Sequence, residues 1–174
     1  MQEGKIIAFV GYSGSGKTTL ITSIIKILSQ KGYKICTIKH THHDFEIDKP
    51  GKDSYLHFHS GSYASMIISN EKMALVKRKE NLDITELYKK YFLGCDLLIV
   101  EGFKDYNIPK IVIHRKETKK PPLFNMLNMV IAIASDEKIN TNIPNFDIND
   151  VQSISNFIEN ALIIKHKKNN HQKS

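Results

Sequence analysis

Gly11-Tyr12-Ser13-Gly14-Ser15-Gly16-Lys17-Thr18 is the stretch whose reading decides the fold. It fits G-x-x-x-x-G-K-[ST], a glycine-rich loop whose backbone N–H groups turn inward around a phosphate. The flanks agree with that chemistry. Ile6–Val10 is a short apolar run that reads as a buried strand. Behind the loop, Leu20, Ile21, Ile24, Ile25 and Leu28 make the apolar stripe of an amphipathic helix over Thr18–Leu28. Strand, loop and helix start therefore come in the order that aims a helix N-terminus at an anion. In such a loop Lys17 reaches the β- and γ-phosphates and the Thr18 hydroxyl faces Mg²⁺.

Working outward, apolar runs alternate with helical patterns. Lys34–Ile38, Ser65–Ser69, Met73–Lys77, Asp96–Val100, Lys110–His114 and Met129–Ala134 read as strands. Ile84–Phe92 and Val151–Ile164 carry helical spacing, and residues 65–78 read as a hairpin turning at Asn70-Glu71-Lys72. The expectation is an α/β fold of the P-loop NTPase kind: a mixed, mostly parallel sheet with helices on both faces, in three layers. Val100 and Lys110 are so close in sequence that their strands are either adjacent or joined by a short crossover.

Length and composition set bounds. With 174 residues, 41% of them hydrophobic, one buried domain over residues 1–164 is expected. The apolar runs are far too short to span a membrane, and residues 1–5 leave no room for a signal peptide before the first strand. Cys36 and Cys95 are the only cysteines, which fits free thiols in a reducing cytoplasm. The net charge of +7 is concentrated, because Lys165, Lys167, Lys168 and Lys173 sit in the last ten residues without an acid. Residues 165–174 read as a basic, disordered tail, so nucleic acid is not the expected partner.

Outside the loop, Glu101 follows Leu97–Val100 and precedes Gly102. A carboxylate at the end of a neighbouring strand is what holds Mg²⁺ or orients an attacking water beside such a loop. Asp96 lies at the strand's other end, roughly 16 Å away at about 3.3 Å per residue, and is the weaker candidate. Lys39-His40-Thr41-His42-His43-Asp44 has three readings: a switch-like segment with Asp44 near Mg²⁺, a polar loop, or a transition-metal site on His40, His42 and His43. Asp48–Ser54 has turn chemistry followed by a helix start capped by Asp53 or Ser54. Asp136, after the strand ending at Ala134, is either a guanine reader or a helix N-cap; Ile133 and Ala134 stand where the guanine signature has Asn/Thr and Lys.

Gly11–Thr18, Lys39–Tyr55 (KHTHHDFEIDKPGKDSY), Asp96–Lys104 (DLLIVEGFK), Lys110–Arg115 and Ala132–Asp136 together resemble the molybdopterin-guanine dinucleotide biosynthesis protein B family. The resemblance implies a dimeric, P-loop GTPase-like adapter, assisting a partner transferase that joins a guanylyl group to molybdopterin. It implies GTP on Gly11, Ser13, Gly14, Ser15, Gly16, Lys17, Thr18 and Thr19, with Asp136 near guanine. Mg²⁺ falls to Thr18, Asp44 and Glu101, with Lys17 and Glu101 as the catalytic pair. Tyr12 stands where related NTPases carry a second lysine, so activation by such a lysine across a dimer is not expected. Arg78 and Arg115 are the only arginines and neither is an obvious finger, which points to a weak GTPase. Two alternatives stay open: a small-molecule or nucleotide kinase on the same loop, and a metallochaperone NTPase using the histidines.

Overall fold

A computed structural model describes residues 5–41, 43–78 and 83–164. In chain order the elements are β1 (Ile6–Val10), α1 (Lys17–Gln30), β2 (Ile35–Lys39), α2 (Asp53–His59), β3 (Ala64–Ile68), β4 (Met73–Lys77), α3 (Ile84–Tyr91), β5 (Leu97–Glu101), β6 (Lys110–His114), β7 (Val130–Ser135), β8 (Asn145–Asp147) and α4 (Val151–Ile158). Short 3-10 turns at Lys116–Thr118 and Leu123–Met126 lie between β6 and β7, and α4 continues as a π-helical turn, Glu159–Ile164.

The described residues fall into two compact units. The larger runs to residue 40 and resumes at residue 88; the smaller is 41–87. The larger unit holds a six-stranded parallel sheet in the order β2-β5-β1-β6-β7-β8. Every residue of β1 and β6 is buried, as expected for parallel strands covered on both faces. On one face Ile7, Phe9, Leu97, Ile99, Ile111 and Ile113 pack with Leu20, Ile24 and Leu28 of α1 and Ile154 and Ile158 of α4. Alternation sends Ala8, Leu98, Val100 and Val112 to the opposite face. Cys36, in register with Leu98, approaches buried Tyr88 and Cys95 there. Burial pushes the Cys95 thiol up to about 12, so it is a packing group rather than a nucleophile.

The antiparallel part of the expected mixed sheet is a separate hairpin in the smaller unit, β3 paired with β4. β5 and β6 are not neighbours, because β1 lies between them. The connection stays short because Lys110 is level with Ala8, which is itself level with Val100: β6 starts where β5 ends. Lys110 secures that step. It is fully buried, and its ammonium donates to the carbonyls of Tyr106, Ile108 (3.1 Å) and Asn128 (3.2 Å) and to Asn128 Oδ1 (3.1 Å). Burial lowers its pKa, with Asp105 opposing.

The helix start expected at Asp53 or Ser54 is α2, whereas the sequence patterns do not mark β8 as an element. β8 has three residues and one apolar side chain, and α2 buries none of its residues. The α2 N-cap is Lys52, without a side-chain cap, rather than Asp53 or Ser54. The basic tail, residues 165–174, lies outside the described residues. Among the described residues no helix is long and apolar enough to cross a membrane.

Candidate functional site

The loop between β1 and α1 stands at the carboxyl end of the central strand, where open α/β sheets hold ligands. Its turn needs glycine at two places for different reasons. A Cβ on Gly11 would lie 2.6 Å from Ser15 Oγ and 2.8 Å from the Ile113 carbonyl, so loop and β6 approach too closely for any side chain. Gly16 is the α1 N-cap at φ 83°, a left-handed conformation that other residues resist. No side chain caps α1 and no acid sits in its first turn, so its N–H groups and dipole face outward uncompensated.

Lys17 folds back over the loop, donating to the Gly11 carbonyl (3.0 Å) and the Tyr12 carbonyl (2.7 Å). Burial lowers its pKa; Glu101 opposes the shift and Lys39 adds to it. Thr18 Oγ1 donates toward Glu101, at 3.1 Å from Oε1 and 3.3 Å from Oε2. Lys39 Nζ is 4.0 Å from Glu101 Oε1. The carboxylate at the end of β5 thus reaches the hydroxyl expected to face Mg²⁺. Asp96 is at the far end, where Oδ2 accepts the Lys34 N–H. A hydroxyl and a carboxylate are hard oxygen donors, a set that fits Mg²⁺ completed by phosphate and water. Ser15 adds a second sign of fit: its Oγ is buried in the loop with no hydrogen-bond partner, a condition rare in native structures outside functional sites.

Ser13 and Gly14 form the exposed tip, and Thr19 follows Thr18 on the exposed first turn of α1. Asp136 stands just past β7, where Oδ1 accepts the Lys116 N–H (2.9 Å) and Oδ2 is 3.9 Å from Arg115 Nη1. No helix follows it, so it is not an N-cap. It lines a cavity of about 520 Å³ with Ser135, Glu137, Thr141, Asn145 and Asp147. Asp44 belongs to the smaller unit, where its Oδ1 accepts the Phe45 N–H (3.0 Å). His40 lies in the larger unit with its ring 4.7 Å from Phe103, His43 lies in the smaller one, and His42 is outside the described residues. Among the described residues no three His, Cys, Asp or Glu side chains cluster as metal ligands.

Sequence reasoning passed over two residues beside the loop. Arg115, directly after β6, puts its guanidinium against Gly16, with Nε 3.3 Å from where a Cβ would stand. Lys120 places its ammonium 4.7 Å from the centre of the Tyr12 ring, a cation–π contact. The available signal was the strand ending at His114, which puts the next residue at the site edge of the sheet.

The family model for molybdopterin guanine dinucleotide synthesis protein B matches residues 6–136, which include every element of the loop site. The molybdopterin-guanine dinucleotide biosynthesis adapter protein of Escherichia coli (strain K12) is 39% identical over 158 residues, covering 88% of this chain and 90% of that protein. The Haemophilus influenzae (strain ATCC 51907 / DSM 11121 / KW20 / Rd) adapter is 36% identical over 159 residues, covering 90% and 89%. The crystal structure of Bacillus subtilis MobB superposes with a TM-score of 0.73 at 30% identity, covering 91% of this chain and 98% of that one. Sequence match, sheet and loop agree over most of the chain, and the protein belongs to the molybdopterin guanine dinucleotide synthesis protein B family.

Proposed function

We propose that this protein is a GTP-binding adapter that assists attachment of a guanylyl group to molybdopterin and turns GTP over slowly. Its relatives are named as adapters of that biosynthesis, which supports the adapter role. The observation that carries the nucleotide role is the Thr18–Glu101 contact at the mouth of a glycine loop whose lysine lies over the loop carbonyls and whose helix N-terminus has no side-chain cap.

In this reading Gly11, Ser13, Gly14, Ser15, Gly16, Lys17, Thr18 and Thr19 hold the GTP phosphates, and Asp136 stands at the wall of the guanine site. Thr18 and Glu101 would hold Mg²⁺, which would supply neutralising charge to the phosphates. Lys17 leaves its carbonyl partners for phosphate, and Glu101 orients water. Among the described residues no further donor stands beside Thr18 and Lys17 on the Glu101 side of the loop except Lys39, which is consistent with slow hydrolysis. The adapter works in the cytoplasm with a molybdopterin guanylyltransferase and with molybdopterin itself.

The reading also takes the protein to be a homodimer. One face of the β3–β4 hairpin carries the cross-strand pairs Met66–Leu75 and Ile68–Met73. These side chains are 51%, 37%, 73% and 64% exposed, an apolar surface of the kind that marks an interface.

Competition of GTP against ATP with Mg²⁺, read by calorimetry, tests the base assignment. GTP is expected to win, and equal affinities would remove guanine from the proposal. A product assay separates the kinase alternative: free phosphate is expected, and phosphate on an acceptor would replace a GTPase with a kinase.

A further inference from the structure

The loop site is polarised across the sheet. Glu101 ends β5 on one side of β1, and Arg115 follows β6 on the other. Beyond Arg115, past the end of β7, lies the cavity of about 520 Å³ lined by residues of the β7–β8 region. A nucleotide with its metal end at Thr18 and Glu101 and its base toward that cavity has its inner phosphates over Gly16. That is where the guanidinium stands.

Arg115 is not used up by other contacts. Among the described residues its guanidinium makes no hydrogen bond, and its acidic neighbour, Asp136, is 3.9 Å away. Both side chains keep more than a quarter of their exposure, so this ion pair contributes little to stability. It does limit where the guanidinium can go. Asp136 is itself fixed by the Lys116 N–H, so it anchors the arginine beside the loop without consuming its five donors. Gly16 supplies the space: a Cβ at 3.3 Å would press on Nε.

We infer that Arg115 is an inner-phosphate contact of the nucleotide, a second cation opposite Lys17, and that Asp136 is its positioning residue. The inference rests on the proposed nucleotide reading and deepens it. An arginine on the inner phosphates binds diphosphate and triphosphate alike, so its loss weakens both.

The test measures Kd for GDP, GTP and inorganic pyrophosphate with Mg²⁺, in wild type, Arg115→Ala, Arg115→Lys and Asp136→Asn, each checked by thermal melting. Arg115→Ala is expected to weaken GDP and GTP by the same factor, about ten- to a hundred-fold for a lost charge-assisted pair. Arg115→Lys should recover part of the loss. On pyrophosphate, which has no base, Asp136→Asn should weaken binding less than Arg115→Ala and have no further effect on top of it. Unchanged Kd values in Arg115→Ala overturn the inference, as does a loss confined to GTP or to kcat. An Asp136→Asn effect on pyrophosphate that persists without Arg115 overturns the positioning role. Pyrophosphate separates the two levels: a wild type that binds it through Arg115 but not GTP refutes the GTP reading and leaves the inner-phosphate contact standing. A wild type that binds none of the three refutes both.

Discussion

The two units of this chain reach order by different routes. In the larger, β1 and β6 are buried along their full length, and α1 and α4 close one face with a continuous apolar layer. In the smaller, residues 41–87, Ile84 alone among the described residues is buried, while β3 and β4 expose Met66, Ile68, Met73 and Leu75. The larger unit therefore draws its stability from its own interior. Among the described residues, the smaller has an apolar face and almost no buried interior of its own, and that face is where the proposed self-association would act.

Equivalent truncations should expose that difference. Phe9→Ala removes a fully buried ring from β1 and is expected to lower stability by about 3–5 kcal/mol in urea denaturation. A loss below about 1 kcal/mol would break the contrast. Lys110→Ala should cost about 3 kcal/mol, because it strips the partner from the carbonyls of Tyr106, Ile108 and Asn128 in a buried place. The double change Ile68→Lys, Met73→Glu should leave monomer stability within about 0.5 kcal/mol while weakening self-association at least about ten-fold in sedimentation. A fall in monomer stability instead would show that the hairpin face packs within its own chain.

The smallest effect concerns pH. Lys31 bonds Glu159 across α1 and the π-helical turn, and Tyr33 bonds it at 2.9 Å; these contacts hold the Glu159 carboxyl below its ordinary value, the Lys31 bond contributing most. The folded state therefore binds its proton less readily than the unfolded chain. The stabilisation is complete above the ordinary carboxylate value and disappears as pH falls through the depressed one. Glu159→Gln should flatten that acid limb by no more than about 1 kcal/mol, since the pair is partly exposed. An acid limb unchanged by the substitution would place the sensitivity elsewhere.

The larger unit was legible in sequence where one segment carried its own signal. Ile6–Val10 and Lys110–His114 read as strands because burial on both faces demands unbroken apolar runs, and their bounds match the structure. Asn145–Asp147 was illegible because a three-residue edge strand needs only one apolar side chain, Phe146. The Thr18–Glu101 contact could be anticipated from two local motifs, strand-glycine-loop and strand-end acid. The end of its strand at His114 put Arg115 at the site edge of the sheet, but only the sheet order, with β6 beside β1, brings it to Gly16. Lys110 shows the same limit: a basic residue at a strand start gives no hint of burial until the register shows the chain stepping over β1 beneath it.

The posture of Lys17 has a consequence for selectivity. Its ammonium holds the Gly11 and Tyr12 carbonyls, so the loop is closed on itself by its own lysine. An incoming anion has to be a better partner than two peptide oxygens together. Chloride, with a single charge and no way to engage several donors at once, fails that comparison. A polyphosphate meets it, because it offers oxygens to the lysine, to the helix N–H groups and to Thr18 at the same time. In the nucleotide reading proposed above, the lysine is a threshold that a small anion would have to pass before it could compete for the site.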